Sequence, residues 1–210
     1  MSDMTHEPAS FAFTPEYQAK ADAFVAKYPA GRQQSAVMPL LDLAQRQEGW
    51  VSRAAMEVIA AALDMAPIRV EEVATFYTMY NRKPVGKFHV QVCTNLPCML
   101  RGSDDVVAAA KAALGVGFGE MTTDGQFTLS EVECLGACVN APMMQINDDY
   151  YEDLDTASTK AVLEAFKRGE TPKPGPQNGR QFSCPAGGPS SLTELGFQPP
   201  PSGGINGEKA

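Results

Sequence analysis

Cys93-Thr-Asn-Leu-Pro-Cys98 and, 36 positions further on, Cys134-Leu-Gly-Ala-Cys138 are the stretches on which the reading of this chain turns. Immediately before the first, Phe88, Val90 and Val92 alternate with His89 and Gln91, the period of a strand with one buried face that runs straight into Cys93. Phe127 to Glu133 is a second such run and ends against Cys134. If the two strands lie parallel in one sheet, both cysteine pairs leave it at the same edge, and four thiols converge without a long excursion of chain. Crowded thiolates raise one another's pKa until they reprotonate, unless a cation neutralises them, so the arrangement points to a metal centre. C-x4-C lies within the range of structural zinc turns and C-x3-C is less typical of them, whereas a [2Fe–2S] rhomb is wider than one ion and takes longer ligand loops. Gly136 can adopt a positive φ, and Thr94, Asn95, Leu96, Leu135 and Ala137 are placed to aim N–H dipoles at sulfur. Spacing alone keeps three readings open: a [2Fe–2S] cluster, a zinc ion, and a thiol–disulfide couple that lacks the Cys-x-x-Cys signature.

Outward from the cysteines, Ser103 to Leu114 is Ala-rich with apolar residues at helical spacing and Gly115 at its end. Pro142 to Asn147 reads as a further strand, Tyr150 and Tyr151 as a possible additional one, and Thr156 to Arg168 as a final helix. Strand, helix, strand, strand, helix suits a small α/β layer. Upstream the period is helical. Thr14-Pro15 starts one helix, Ser35 is placed to cap a second with Pro39 in its first turn, Ser52 caps a third that Pro67 ends, and a fourth runs from about Arg69. The expected organisation is a flexible leader over 1–13, a helical domain over 14–84, an α/β domain over 85–170, and a Pro/Gly-rich, extended or disordered tail over 171–210. That tail holds eight of the 16 prolines and eight of the 18 glycines in the 210 residues.

Composition excludes several functions. With 17 basic against 25 acidic side chains the net charge is −8, which opposes phosphate backbones, so nucleic acid is not an expected partner. Apolar runs stop well short of the ~18 residues a membrane span takes, so no direct membrane insertion is expected. The first ten residues carry an acidic balance and no Arg, unlike an organellar transit peptide, and a cytoplasmic, membrane-peripheral bacterial subunit is the expectation. Five cysteines without a secretory signal point to reduced thiols. Cys184, alone in the tail, reads as an incidental thiol. Gly115-Val-Gly117-Phe-Gly119 follows a helix where a dinucleotide fingerprint should open one, so no NADH site is expected on this chain. His6, His89 and the adjacent pairs Glu71-Glu72 and Asp148-Asp149 read as surface groups, and Phe76, Tyr77 and Tyr80 as candidates for a partner surface.

Cys93-x4-Cys98 together with Glu133-Cys134-Leu135-Gly136-Ala137-Cys138 resembles the thioredoxin-like [2Fe–2S] ferredoxin family. Val73-Ala-Thr-Phe-Tyr-Thr78, with the Glu48-Gly-Trp-Val51 turn, resembles the helical domain that precedes this fold in the 24 kDa-subunit family of NADH:quinone oxidoreductase, respiratory complex I. The resemblance covers about residues 15 to 168. It implies a thioredoxin-like sheet and one [2Fe–2S] cluster on Cys93, Cys98, Cys134 and Cys138, with no catalytic site of the chain's own. It also implies a one-electron role beside FMN and NADH, both held by a partner flavoprotein, among the other peripheral-arm subunits of complex I. In that family the cluster lies near the flavin, away from the main chain of clusters leading to quinone. Close relatives serve as the small diaphorase component of NAD-linked hydrogenases and formate dehydrogenases.

Overall fold

The computed structural model describes residues 7–185 and residue 191. The first six residues, His6 included, and the rest of the tail lie outside them. Contacts divide the chain into two compact units, Met1–Lys87 and Phe88–Ala210.

The first unit is helical: α1 (Pro15–Val25), α2 (Val37–Glu48), α3 (Arg53–Ala62) and α4 (Pro67–Phe76). Thr14 Oγ1 accepts the Tyr17 N–H at the head of α1, where Pro15 gives up no helical bond, and Ser52 Oγ accepts the Ala55 N–H at 3.1 Å at the head of α3. Ser35 does not cap α2. It lies in a 3-10 turn, Gln33–Ala36, which leads the chain into the helix, and the buried Val37, Leu40, Leu41 and Ala44 fix where the helix packs. Pro67 opens α4 as well as following α3, because a first-turn proline forfeits no bond and its fixed φ is already helical. Residues 7–13 are not a loose leader: Phe11 is buried edge-on against Phe13, and Gln47 donates to the Ala12 carbonyl at 3.0 Å. Tyr80 is core, its hydroxyl donating to the Met38 carbonyl at 2.9 Å, whereas Phe76 and Tyr77 remain exposed.

The second unit is a six-stranded sheet with helices. In chain order it runs β1 (Phe88–Cys93), α5 (Leu96–Leu100), α6 (Ser103–Leu114), β2 (Glu120–Met121), β3 (Phe127–Val132), β4 (Met144–Ile146), β5 (Asp149–Glu152), α7 (Thr156–Lys167) and β6 (Gly175–Pro176). The strand order is β2-β3-β1-β4-β5-β6. β1 pairs parallel with β3, with Cys93 opposite Val132, and antiparallel with β4, with Val92 opposite Met144. Alternation puts Val90, Val92, Leu129, Met144, Ile146 and Tyr151 into one core with Val106 and Ala110 of α6 and Val162, Leu163 and Phe166 of α7. Gly115 ends α6 at φ +72, a left-handed conformation that a side chain would strain. The reciprocal Asp155 and Ser158 bonds of a capping box start α7. Three elements went unforeseen: α5 inside the first cysteine loop, the short β2, and β6. The last carries the ordered domain beyond residue 170, since Tyr151 pairs with Gly175 in a parallel edge strand and Gln177 donates to the Glu152 carbonyl at 2.9 Å.

Candidate metal centre

The parallel pairing of β1 and β3 delivers both cysteine loops to one end of the sheet. Cys93 is the last residue of β1 and its N–H donates to the Met143 carbonyl at 3.2 Å, while the next residue, Thr94, donates to Val132 of β3 at 3.2 Å. The chain then turns into α5, which opens with the Asn95 side chain accepting the Leu96 N–H at 2.7 Å and carries Cys98 inward. Two side-chain bridges tie this arm down: the Thr94 hydroxyl donates to Glu131 of β3 at 2.8 Å, and the Asn95 amide to Glu133 at the start of the second arm at 2.7 Å.

The second arm leaves β3 at Glu133, and a 3-10 turn, Cys138–Asn140, then leads through Ala141 and Pro142 to β4. Gly136 sits at φ +82, which suits glycine, and its N–H donates to Cys134 Sγ at 3.4 Å. The Tyr150 hydroxyl holds the loop from behind by donating to the Leu135 carbonyl at 2.9 Å. Cys93 and Cys98 are buried in an apolar cluster with Ala141 and Met143, backed by Leu135, Ala137 and Tyr150, whereas Cys134 and Cys138 are exposed.

The thiols interact as two pairs. Cys134 and Cys138 place their sulfurs 3.3 Å apart, and Cys98 lies close enough to Cys93 for the two thiols to perturb each other. Burial, and then the neighbouring Cys93 thiol, pushes the Cys98 thiol up to about 12, with the Met143 backbone acting in the opposite direction. The Gly136 N–H, aided by Cys138, holds Cys134 below the ordinary thiol range, and the bond to Cys134 raises Cys138. Left to themselves, these groups resist ionising together. A cationic centre reverses that order, and the donor set is four thiols with the Gly136 N–H already aimed at one of them. Four thiolates are the ligand set of a [2Fe–2S] cluster, and the loops that carry them are long enough for a two-iron rhomb.

Of the donors expected around sulfur, Gly136 itself carries the bond on the second arm. Met143, which no sequence signal flagged, lies against the first arm, its carbonyl accepting the Cys93 N–H. Cys184 is exposed, in a turn after Gln181. His89 is half-buried with Nε2 2.8 Å from Ser130 Oγ, and burial lowers its pKa.

A two-layer α/β domain with four thiols paired at the end of adjacent parallel strands defines a small iron–sulfur class of protein. The family model of the thioredoxin-like [2Fe–2S] ferredoxins matches residues 21–167, and the chain belongs to that family. It is similar to the mitochondrial NADH dehydrogenase (ubiquinone) flavoprotein 2 of Dictyostelium discoideum, 52% identical over 196 residues, covering 93% of this chain and 78% of that protein. It is similar also to an NADH-quinone oxidoreductase subunit of Rickettsia typhi, 52% identical over 158 residues, covering 75% of this chain and 93% of that protein. Among solved structures, an NAD+-reducing [NiFe]-hydrogenase in the H2-reduced state superposes with a TM-score of 0.54 at 20% identity, over 61% of this chain and 22% of the hydrogenase chain, a likeness of fold.

Proposed function

We propose that this chain is the 24 kDa-type electron carrier of an NADH:quinone oxidoreductase, holding one [2Fe–2S] cluster on Cys93, Cys98, Cys134 and Cys138 beside the FMN of a partner flavoprotein that oxidises NADH. The observation that carries the reading is the convergence of those four thiols, in two pairs, at one end of β1 and β3. Relatives 52% identical to it bear the names of NADH dehydrogenase flavoprotein 2 and of an NADH-quinone oxidoreductase component. When bound, the cluster supplies a one-electron couple.

The chain's own residues do the rest. Gly136 donates to Cys134, which offsets negative charge on sulfur and favours the reduced state. Ala141, Met143 and the half-buried Leu135 keep water from the Cys93–Cys98 side. The Cys134–Cys138 side is open, and the exposed Leu96, Met99 and Leu100 of α5 with Val139 of the second arm give a partner protein apolar surface to cover. No helix is long and apolar enough to cross a membrane among the described residues, which suits a place in the peripheral arm. The domain plan that fits best is a helical bundle before the cluster domain, with Phe76 and Tyr77 left exposed for the same assembly.

Anaerobic purification tests the reading. A red-brown protein that bleaches with dithionite and holds iron and acid-labile sulfide in the stoichiometry of one cluster per chain is the expected result. A colourless, folded protein with stoichiometric zinc would make it a structural zinc module instead.

A further inference from the structure

The segment after α7 returns to the metal centre. Following β6, Arg180 buries its guanidinium against Asp153, with side-chain exposures of 10% and 3% and an Nη2 to Oδ1 distance of 2.8 Å. The other terminal nitrogen, Nη1, donates at 2.9 Å to the carbonyl of Val139, the residue directly after Cys138. Asp153 is itself bound to the same turn. Its N–H donates to the Asn140 carbonyl at 2.7 Å, and its Oδ2 accepts from the Asn140 amide at 3.2 Å. That amide also donates to the carbonyl of Phe182 at 2.8 Å. Asn140 is 2% exposed, so this is an interior network at the foot of the second cysteine arm.

An exposed ion pair contributes little, but a buried one fixes geometry, and removing one partner leaves the other charge unsolvated. Here the planar fork of arginine joins two targets that no shorter or single-pronged side chain reaches together. The targets are Asp153 after β5 and the backbone beside Cys138. The bond to the Val139 carbonyl lies in the main chain that carries Cys138, so it constrains where that sulfur points.

We propose that residues 175–184 form a strap and that Arg180 is a positioning residue for the cluster, pinning the Cys138–Asn140 turn so that Cys138 stays in ligating geometry. This rests on the reading that the four thiols hold the cluster. Outer-shell groups of this kind change metal affinity by about tenfold to a hundredfold when removed.

The test uses the full chain, reconstituted anaerobically with iron and sulfide. It compares wild type, Arg180→Lys, the charge-neutral double variant Arg180→Gln/Asp153→Asn, and Arg168→Gln as a control at an exposed ion pair. Two quantities are read: the rate of cluster loss to a ferrous chelator, and the EPR spectrum of the dithionite-reduced protein. The double variant buries no lone charge, and its far-UV circular dichroism reports whether the fold is kept. It is expected to lose its cluster about tenfold faster or more, with a broadened EPR spectrum, and Arg180→Lys is expected to fall between it and wild type. Wild-type rates and spectra in both Arg180 variants would overturn the strap, as would an equal acceleration in Arg168→Gln. A wild-type chain that takes up no cluster would overturn the proposed function itself.

Discussion

Asn95 does two jobs at the mouth of the centre, and replacing it separates them. Its Oδ1 accepts the Leu96 N–H that opens α5, and its amide donates at 2.7 Å to Glu133 on the other cysteine arm. Asn95→Ala removes a helix-head bond of about 1 kcal/mol and a charge-assisted bond that, on an exposed glutamate, is worth about 1 kcal/mol after solvent screening. A loss of about 1–2 kcal/mol in holding the arms together multiplies the locally opened population roughly 5- to 30-fold. If iron leaves through that opening, its release to a chelator accelerates by the same factor, followed as bleaching of the visible absorbance. Asn95→Asp keeps a good capping acceptor but sets a carboxylate against Glu133, so release is again faster and is slowed by salt, which screens the repulsion. Adding Glu133→Gln to Asn95→Asp restores an amide-to-carboxylate bridge with the roles exchanged, and is expected to recover most of the wild-type rate. Release unchanged in Asn95→Ala, or no recovery in the double variant, would refute the idea that these bridges hold the arms in register.

Asp155→Ala breaks the capping box of α7 and is expected to cost about 1 kcal/mol, a melting shift of roughly 2–4 °C for a chain of this size. The Ser158 backbone and hydroxyl bonds hold the Asp155 carboxyl below its ordinary pKa. The wild-type advantage over Asp155→Ala is therefore full above the unfolded carboxyl's pKa and disappears as pH falls through the lower, folded value, which a series of urea melts from neutral pH into acid checks. Phe166→Ala empties a site packed by Phe88 at 4.9 Å and Tyr151 at 5.8 Å, and a loss of about 3–5 kcal/mol is expected in the same melts. Cys184→Ala, at an exposed thiol, is expected to leave cluster content and spectrum unchanged, measured as iron per chain.

The sequence showed most where a single period or a single residue type decides the outcome. β1 was legible because Phe88, Val90 and Val92 alternate, and α6 because its apolar face runs unbroken from Val106 to a glycine at 115. The four thiols were legible as a set because each pair begins at the end of a strand, Cys93 closing β1 and Cys134 following β3 after one intervening residue. Elements that depend on partners distant in sequence were harder to see. β6 is two residues, Gly175–Pro176, with no apolar pattern, and exists because the edge of β5 offers it backbone bonds. Arg180 in a Pro/Gly-rich stretch carries no local sign of being buried, since its pairing with Asp153 spans 27 positions. Met143 came to accept the Cys93 N–H only through the antiparallel return of β4 beside β1. Ser35 misled for the opposite reason: it is a good local cap, but the packing of Ala36 and Val37 starts the helix after it.

EPR spectroscopy of the dithionite-reduced, anaerobically purified chain tests the central claim most directly. The account predicts a signal of one unpaired spin per chain from a reduced [2Fe–2S] cluster, absent before reduction and abolished in Cys134→Ala. A folded wild-type protein that stays silent after reduction, or a Cys134→Ala variant with the wild-type signal intact, would contradict it.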